Sequence, residues 1–132
     1  MPNLRIARAL FSNKSSLTTF IGDLSSLQIG ENMFYCCNAL TTFIGDLSSL
    51  RFGKAMFKRT QLTVESVEII ADTLPEITNS ATISISLQIP PSSTTELTAY
   101  MTAMTPIVDK GWLLETNTQI ANLFDTTKYT IS

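Results

Sequence analysis

Asp23 and Asp46 are the residues whose type and spacing most suggest chemistry, because each holds the same place in a segment, LTTFIGDLSSL, found at 17–27 and again at 40–50. If the two copies form neighbouring strands, the carboxylates fall about 5 Å apart, near the usual inter-strand spacing. Two carboxylates at that distance suit a calcium ion or an acid–base pair. The competing reading is a solvated turn, in which an Asp at a strand exit caps its own backbone.

Other catalytic designs lack their parts. The chain has no histidine, which removes the Ser-His-Asp and Cys-His arrangements and the commonest general base and metal ligand. Lys14 beside Ser15 and Ser16 offers a base and a nucleophile, but in a setting that reads as a turn. Cys36 and Cys37 are adjacent, without the CxxC spacing of a zinc site, and read as small buried fillers. The five glycines form neither GxGxxG nor a P-loop. No cofactor and no metal are expected, and the protein is expected not to be an enzyme.

Charge and hydropathy narrow the partners. The net charge is −2, which argues against nucleic acid, whose binding needs a basic field. Seven of the nine cations lie in residues 1–60, including the group Arg51, Lys54, Lys58 and Arg59, while eight of the eleven acids lie in residues 61–132. The longest uninterrupted apolar run is Met33 to Cys37, far short of the roughly 20 residues that span a bilayer, so no membrane insertion is expected. The N-terminal stretch MPNLRIARALFSNKSS has too short an apolar core for a signal peptide.

The elements that must position these residues follow from the repeat. Leu4, Leu27 and Leu50 are each 23 residues apart and open related segments, LRIARALFSNKSSL, LQIGENMFYCCNAL and LRFGKAMFKRTQL. We call the three repeats that begin there units one, two and three. A period of 23 lies within the leucine-rich-repeat range, in which one unit cannot bury its apolar side alone. Strands are predicted at Leu17–Phe20 and Leu40–Phe43, with Phe20, Phe34, Phe43 and Phe57 all buried and Gly22-Asp23 and Gly45-Asp46 turning the chain. The expected fold class is α/β: a leucine-rich-repeat-type solenoid with a parallel sheet, followed by a β-α-β C-terminal cap.

After Leu62 the period changes. Thr63 is a helix N-cap, and Val64, Val67, Ile70, Ala71 and Leu74 recur at helical spacing up to Pro75. Thr82 to Leu87 alternates as a strand with Ile83, Ile85 and Leu87 on one face. A second helix is predicted from about Thr95 to Lys110, kinked at Pro106 and ended by Gly111, and then a strand at Trp112–Thr116. Lys128 to Ile131 reads either as an edge strand or as part of a loose tail. One domain is expected, with repeats in 1–62, a helix-strand-helix-strand cap in 63–116 and a tail in 117–132.

The order Leu-x-x-Phe, Ile-Gly, Met-Phe-x-x-Cys and Leu at this period resembles the BspA-like leucine-rich repeats of bacterial surface proteins and of their phages. LTVESVEIIADTL, TISISL and a helix ending in DKGW resemble the cap that follows such repeats. The sequence departs from that pattern at Ala7, where a glycine is expected, and at Thr60, near the place of Cys37. The resemblance implies adhesion or host interaction at the cell surface or on a virion; a cytoplasmic location stays open. A phage structural or receptor-binding component is the second reading, and a carboxylate enzyme using Asp23 and Asp46 the third.

The expected function is binding of a protein or glycan through the exposed strand face formed by Thr19, Ile21, Thr42 and Ile44. A second surface is expected at the start of unit one, where Leu4, Ile6, Leu10 and Phe11 have no preceding strand to cover them. Unless the chain is a piece of a longer array, that end is expected to be covered by an assembly protein or by another copy in a symmetric homo-oligomer.

Overall fold

Each copy of the repeated segment places a Thr-Phe-Ile strand in the same position: β1 is Thr19–Ile21 and β2 is Thr42–Ile44, paired in parallel with Phe20 opposite Phe43. The expected strands began two residues earlier. Leu17 and Leu40 instead close the preceding turns, their amides bonding to Lys14 and Cys37, and the Thr18 carbonyl starts the ladder by accepting from Thr41 and Thr42. The computed structural model describes residues 1–124 and the backbone of Thr130–Ile131.

Equivalent segments upstream of these strands also lie side by side. Parallel bridges join Ile6 to Ile29 and Ile29 to Phe52, each step 23 residues. Beyond each bridge the amides of Ala7, Ala9, Phe11 and Asn13 donate to the carbonyls of Ile29, Glu31, Met33 and Tyr35 at 2.7–2.9 Å. One unit later, Gly30, Asn32, Phe34 and Cys36 donate to Phe52, Lys54, Met56 and Lys58 at 2.8–3.1 Å. Intervening amides close tight local turns, as in Met33 to Gly30 and Tyr35 to Asn32. Such a run needs left-handed residues at fixed places: Ala9, Asn32 and Ala55 have φ of 58°, 54° and 57°, and Asn13, Cys36 and Arg59 have 63°, 59° and 60°. Past each bridge the inter-unit donors all face the next unit, whereas at the bridge itself Gln28 and Ile29 donate back to Arg5, and Arg51 and Phe52 back to Gln28.

Aromatic stacking fills the interior. Phe11, Phe34 and Phe57 stack at 5.4 Å spacing, and Phe20 stacks on Phe43 at 5.6 Å. Edge-to-face contacts at 4.9–5.7 Å tie the second pair to Phe34 and Phe57. Leu24, Leu27, Leu40, Leu47, Leu50, Met33 and Met56 complete this part of the core. Phe20 is only partly buried, unlike the expectation for it, because no further ring covers its outer side. Gly30 lacks a side chain because a Cβ there would meet the Met56 sulfur at 2.7 Å.

The C-terminal part converts this stack into an ordinary parallel sheet of order β3-β4-β5-β6, made of Gly53–Thr60, Thr82–Leu87, Leu113–Thr116 and Thr130–Ile131. Unit three supplies β3, whose rungs to β4 fall at Gly53↔Ile83, Phe57↔Ile85 and Thr60↔Leu87. Between those rungs the unit still offers the amides of Ala55 and Arg59, and the hydroxyls of Ser84 and Ser86 accept them at 2.8 and 3.1 Å. For that reason both faces of β4 are buried, not only the Ile83, Ile85 and Leu87 face expected. Of the foreseen edge strand, Thr130 and Ile131 pair with Glu115 and Thr116, while Lys128 and Tyr129 lie outside the described residues.

Helix α1, Val64–Thr73, is capped by the Thr63 hydroxyl, and its C-terminal carbonyls at Ala71 and Leu74 take the Lys110 ammonium at 2.6 and 2.8 Å. Helix α2, Thr94–Asp109, starts at a Ser93 cap and continues through Pro106. Gly111 follows with φ of 99°, where a Cβ would stand 2.3 Å from the Ile77 carbonyl oxygen. A short helix α3, Thr118–Ala121, follows β5, in a region expected to be tail. One cluster of buried side chains runs from Ala7 to Ile120 through both parts.

Candidate functional site

The outward face of β1 and β2 pairs Thr19 with Thr42 and Ile21 with Ile44. Ile21 is 69% exposed and Ile44 44%, so two large β-branched side chains stand in register in water. Thr19 is exposed as expected; Thr42 is half-buried, a correction whose cause is that β2 lies between β1 and α1. On its far side β2 meets no strand. The Ser66 hydroxyl of α1 accepts from the Phe43 amide at 3.0 Å and donates to the Thr41 carbonyl at 3.1 Å, taking the place of a neighbouring backbone.

Asp23 and Asp46 sit just beyond this face. Each turns its Oδ1 back onto the amide two residues on, Ser25 or Ser48, at 2.9 Å. The hydrogen bonds from Ser25 hold the Asp23 carboxyl below its ordinary range. These are solvated turn carboxylates, each with one oxygen engaged by the turn. Among the described residues no group of three or more His, Cys, Asp or Glu is gathered for a metal ion. Cys37 is buried with its thiol against the Phe11 carbonyl at 2.9 Å, and burial pushes that thiol up. Cys36 is half-exposed on a left-handed backbone. Thr60, in place of Cys37 one unit on, donates instead within its own unit, to the Phe57 carbonyl, and to the Ser86 carbonyl of β4.

The start of unit one forms a second surface. Ile6 is 50% exposed and Leu10 43%, while Leu4 and Phe11 are partly buried against the core. Arg8 reaches Glu31 of unit two at 3.8 Å. Of the cationic group, Arg51, Lys54 and Arg59 are exposed and Lys58 is half-buried. A separate recess of about 490 Å³ lies between α1 and α2, lined by Ala71, Ala99, Ala103, Glu68 and Asp72 among others. No helix among the described residues is long and apolar enough to cross a membrane.

Sequence reasoning missed Ser66, Ser84 and Ser86, which carry the junction between the repeated segments and the C-terminal elements. Their signal was present: each is a small hydroxyl residue between apolar neighbours where a backbone acceptor or donor is due. No protein-family model matches the chain, and neither a curated protein nor a solved structure does.

Proposed function

We propose that the protein is a short leucine-rich-repeat-type solenoid with a C-terminal cap, acting without catalysis as a binding module for a protein or glycan through the outward face of β1 and β2. The observation that carries this is the side-by-side exposure of Ile21 and Ile44, rimmed by Thr19 and Thr42. Adjacent apolar side chains held rigidly in water are a poor surface for a chain with no partner and a good one for contact with a ligand. The resemblance to BspA-like repeats points in the same direction, toward adhesion at a cell or virion surface. The turn role of Asp23 and Asp46 supports the non-catalytic reading, since each exposed carboxylate caps its own backbone.

The test is a glycan and protein array with the intact chain and with the Ile21→Asp/Ile44→Asp double variant, each first shown to be folded by circular dichroism. A saturable ligand lost in the double variant is the expected result. Ligands retained equally by both proteins, or turnover of a substrate that disappears in Asp23→Asn or Asp46→Asn, would overturn the proposal.

A further inference from the structure

Lys58 and Arg59 are neighbours in β3, and in a regular strand neighbours face opposite sides of the sheet. Here the register breaks: from Phe57 to Thr60 β3 advances three residues while β4 advances two, from Ile85 to Leu87. The extra residue forms a bulge, with Arg59 at φ of 60° and its amide held by the Ser86 hydroxyl at 3.1 Å. Both cationic residues consequently line one recess, of about 500 Å³, at the carboxyl ends of β3, β4 and β5. The pair is particular to unit three, since the same places hold Ser12 and Asn13 in unit one and Tyr35 and Cys36 in unit two. Stacking of the units therefore does not call for it.

The opposite wall is also fixed. Asn117 accepts the Leu87 amide at 2.7 Å and donates to the Leu87 carbonyl at 3.0 Å, so a side chain closes the ladder after β5 and brings Thr118 and Gln119 beside the end of β4. Gln88, Thr118 and Gln119 are exposed there, offering two amides and a hydroxyl. No acid lines the recess. Glu115 is turned to the Ser84 hydroxyl at 2.6 Å, and Glu65 and Glu96 act on Tyr100 at the helices. Arg8 with Glu31 is the one ion pair among the described residues, so Lys58 and Arg59 are left without a carboxylate partner there.

We propose that this recess binds a sugar carrying a phosphate or sulfate ester. Such an ester has three terminal oxygens, enough to take the Arg59 fork and the Lys58 ammonium together. The neutral groups of Gln88, Thr118 and Gln119 suit sugar hydroxyls, and the volume is that of a small-ligand site. No aromatic ring lines the recess, so the base of a nucleotide would have nothing to stack on. The position is the one at which open parallel sheets bind ligands, outside the carboxyl ends of the strands. It shares no residue with the Ile21 and Ile44 face and does not rest on that reading.

The test is an NMR titration of the isotopically labelled intact protein at physiological ionic strength. The probes are glucose 6-phosphate, mannose 6-phosphate, galactose 6-sulfate and N-acetylglucosamine 6-sulfate, with the unesterified sugars, inorganic phosphate and inorganic sulfate as controls. Saturable binding of at least one ester is expected, at least about tenfold tighter than its sugar or its inorganic ion, the two kinds of ester telling phosphate from sulfate. Shifts are expected at residues 58–59, 86–88 and 117–119. Lys58→Gln and Arg59→Gln, each shown to be folded by circular dichroism, are expected to weaken binding at least about fivefold, while Arg51→Gln and the Ile21→Asp/Ile44→Asp double variant leave it unchanged. Where a variant fails to fold, the shift map of the unaltered protein decides. The proposal is overturned if none of the four esters binds, if an inorganic ion binds as tightly as the ester, or if the shifts centre elsewhere. An equal loss in Arg51→Gln and Arg59→Gln also overturns it, because a diffuse field of charge would then account for the binding.

Discussion

Phe43 donates its backbone amide to the hydroxyl of Ser66, 3.0 Å away and 23 residues later, where a repeat unit would have supplied a carbonyl. The same hydroxyl donates to Thr41, so one side chain stands in for both halves of a strand contact. Ser66→Ala leaves the buried Phe43 amide unmet, while the Thr41 carbonyl keeps the Thr63 amide, and is expected to cost about 2 kcal/mol. Urea unfolding measures this, and a loss below about 0.5 kcal/mol would mean that water or a shifted helix replaces the hydroxyl.

The two stacked rings of β1 and β2 are not equivalent. Phe43 is fully buried and touches Phe20, Phe34 and Phe57, whereas Phe20 is only partly covered. Phe43→Ala is expected to cost roughly 3–5 kcal/mol through lost transfer energy and a cavity. Phe20→Ala should cost clearly less, and equal losses in the same denaturation series would contradict the packing.

Ala9 holds φ of 58°, a conformation that costs an L side chain energy and glycine almost none. Ala9→Gly is expected to leave stability unchanged or raise it by up to about 1 kcal/mol, while Ala9→Val lowers it, since a β-branched residue at positive φ is a true outlier. Ala55 gives an internal repeat of the test at φ of 57°. Glycine and valine variants with matching urea midpoints would show that the run does not require left-handed residues.

The Tyr100 hydroxyl is buried against the Leu62 carbonyl at 2.6 Å, and burial, helped by Glu96 and Glu65, raises its pKa above the ordinary tyrosine value. An acid whose folded pKa is raised contributes its full stability below the unfolded value of about 10 and loses it as pH climbs from there through the folded value. Stability is therefore expected to fall with pH above about 10, and the tyrosine part of that slope to vanish in Tyr100→Phe. Urea midpoints across that range decide the matter; an identical slope in both proteins would assign it elsewhere.

Cys36 and Cys37 separate by exposure. Iodoacetamide at mildly alkaline pH is expected to label half-exposed Cys36 and to spare Cys37, whose thiol is buried, pushed up and bonded to Phe11. Peptide mapping by mass spectrometry reads the ratio, and comparable labelling of both in the native protein would rule out the placement of Cys37.

The 23-residue period was readable because identical residues must occupy identical environments when units stack: Leu24 and Leu47, Leu27 and Leu50, and Met33 and Met56 are all fully buried. Helix α1 was readable from capping and spacing at Thr63, Val67 and Ile70. Strand boundaries were not, because Leu17 and Leu40 are apolar like strand residues while their amides are committed to turns. Nor was the left-handed run, since Ala9, Ala55 and Cys36 carry none of the glycine that usually marks positive φ. Ile21 and Ile44 were placed outward by simple alternation around a buried Phe, whereas Thr42 was half-covered by a helix whose approach the local sequence does not announce.

The one-way run of hydrogen bonds also sets an electric moment. Eight inter-unit amides, from Ala7 to Asn13 and from Gly30 to Cys36, point toward the C-terminal sheet, so within this run their dipoles add, with the positive end there, while those of Gln28, Ile29, Arg51 and Phe52 point back and subtract. The fixed charges run the other way: Arg5, Arg8 and Lys14 belong to unit one, whereas Glu65, Glu68, Asp72 and Glu76 belong to the cap. Each set of side chains thus faces the backbone pole that attracts it. Along this run, then, backbone and side chains have opposite polarity, and each partly offsets the other.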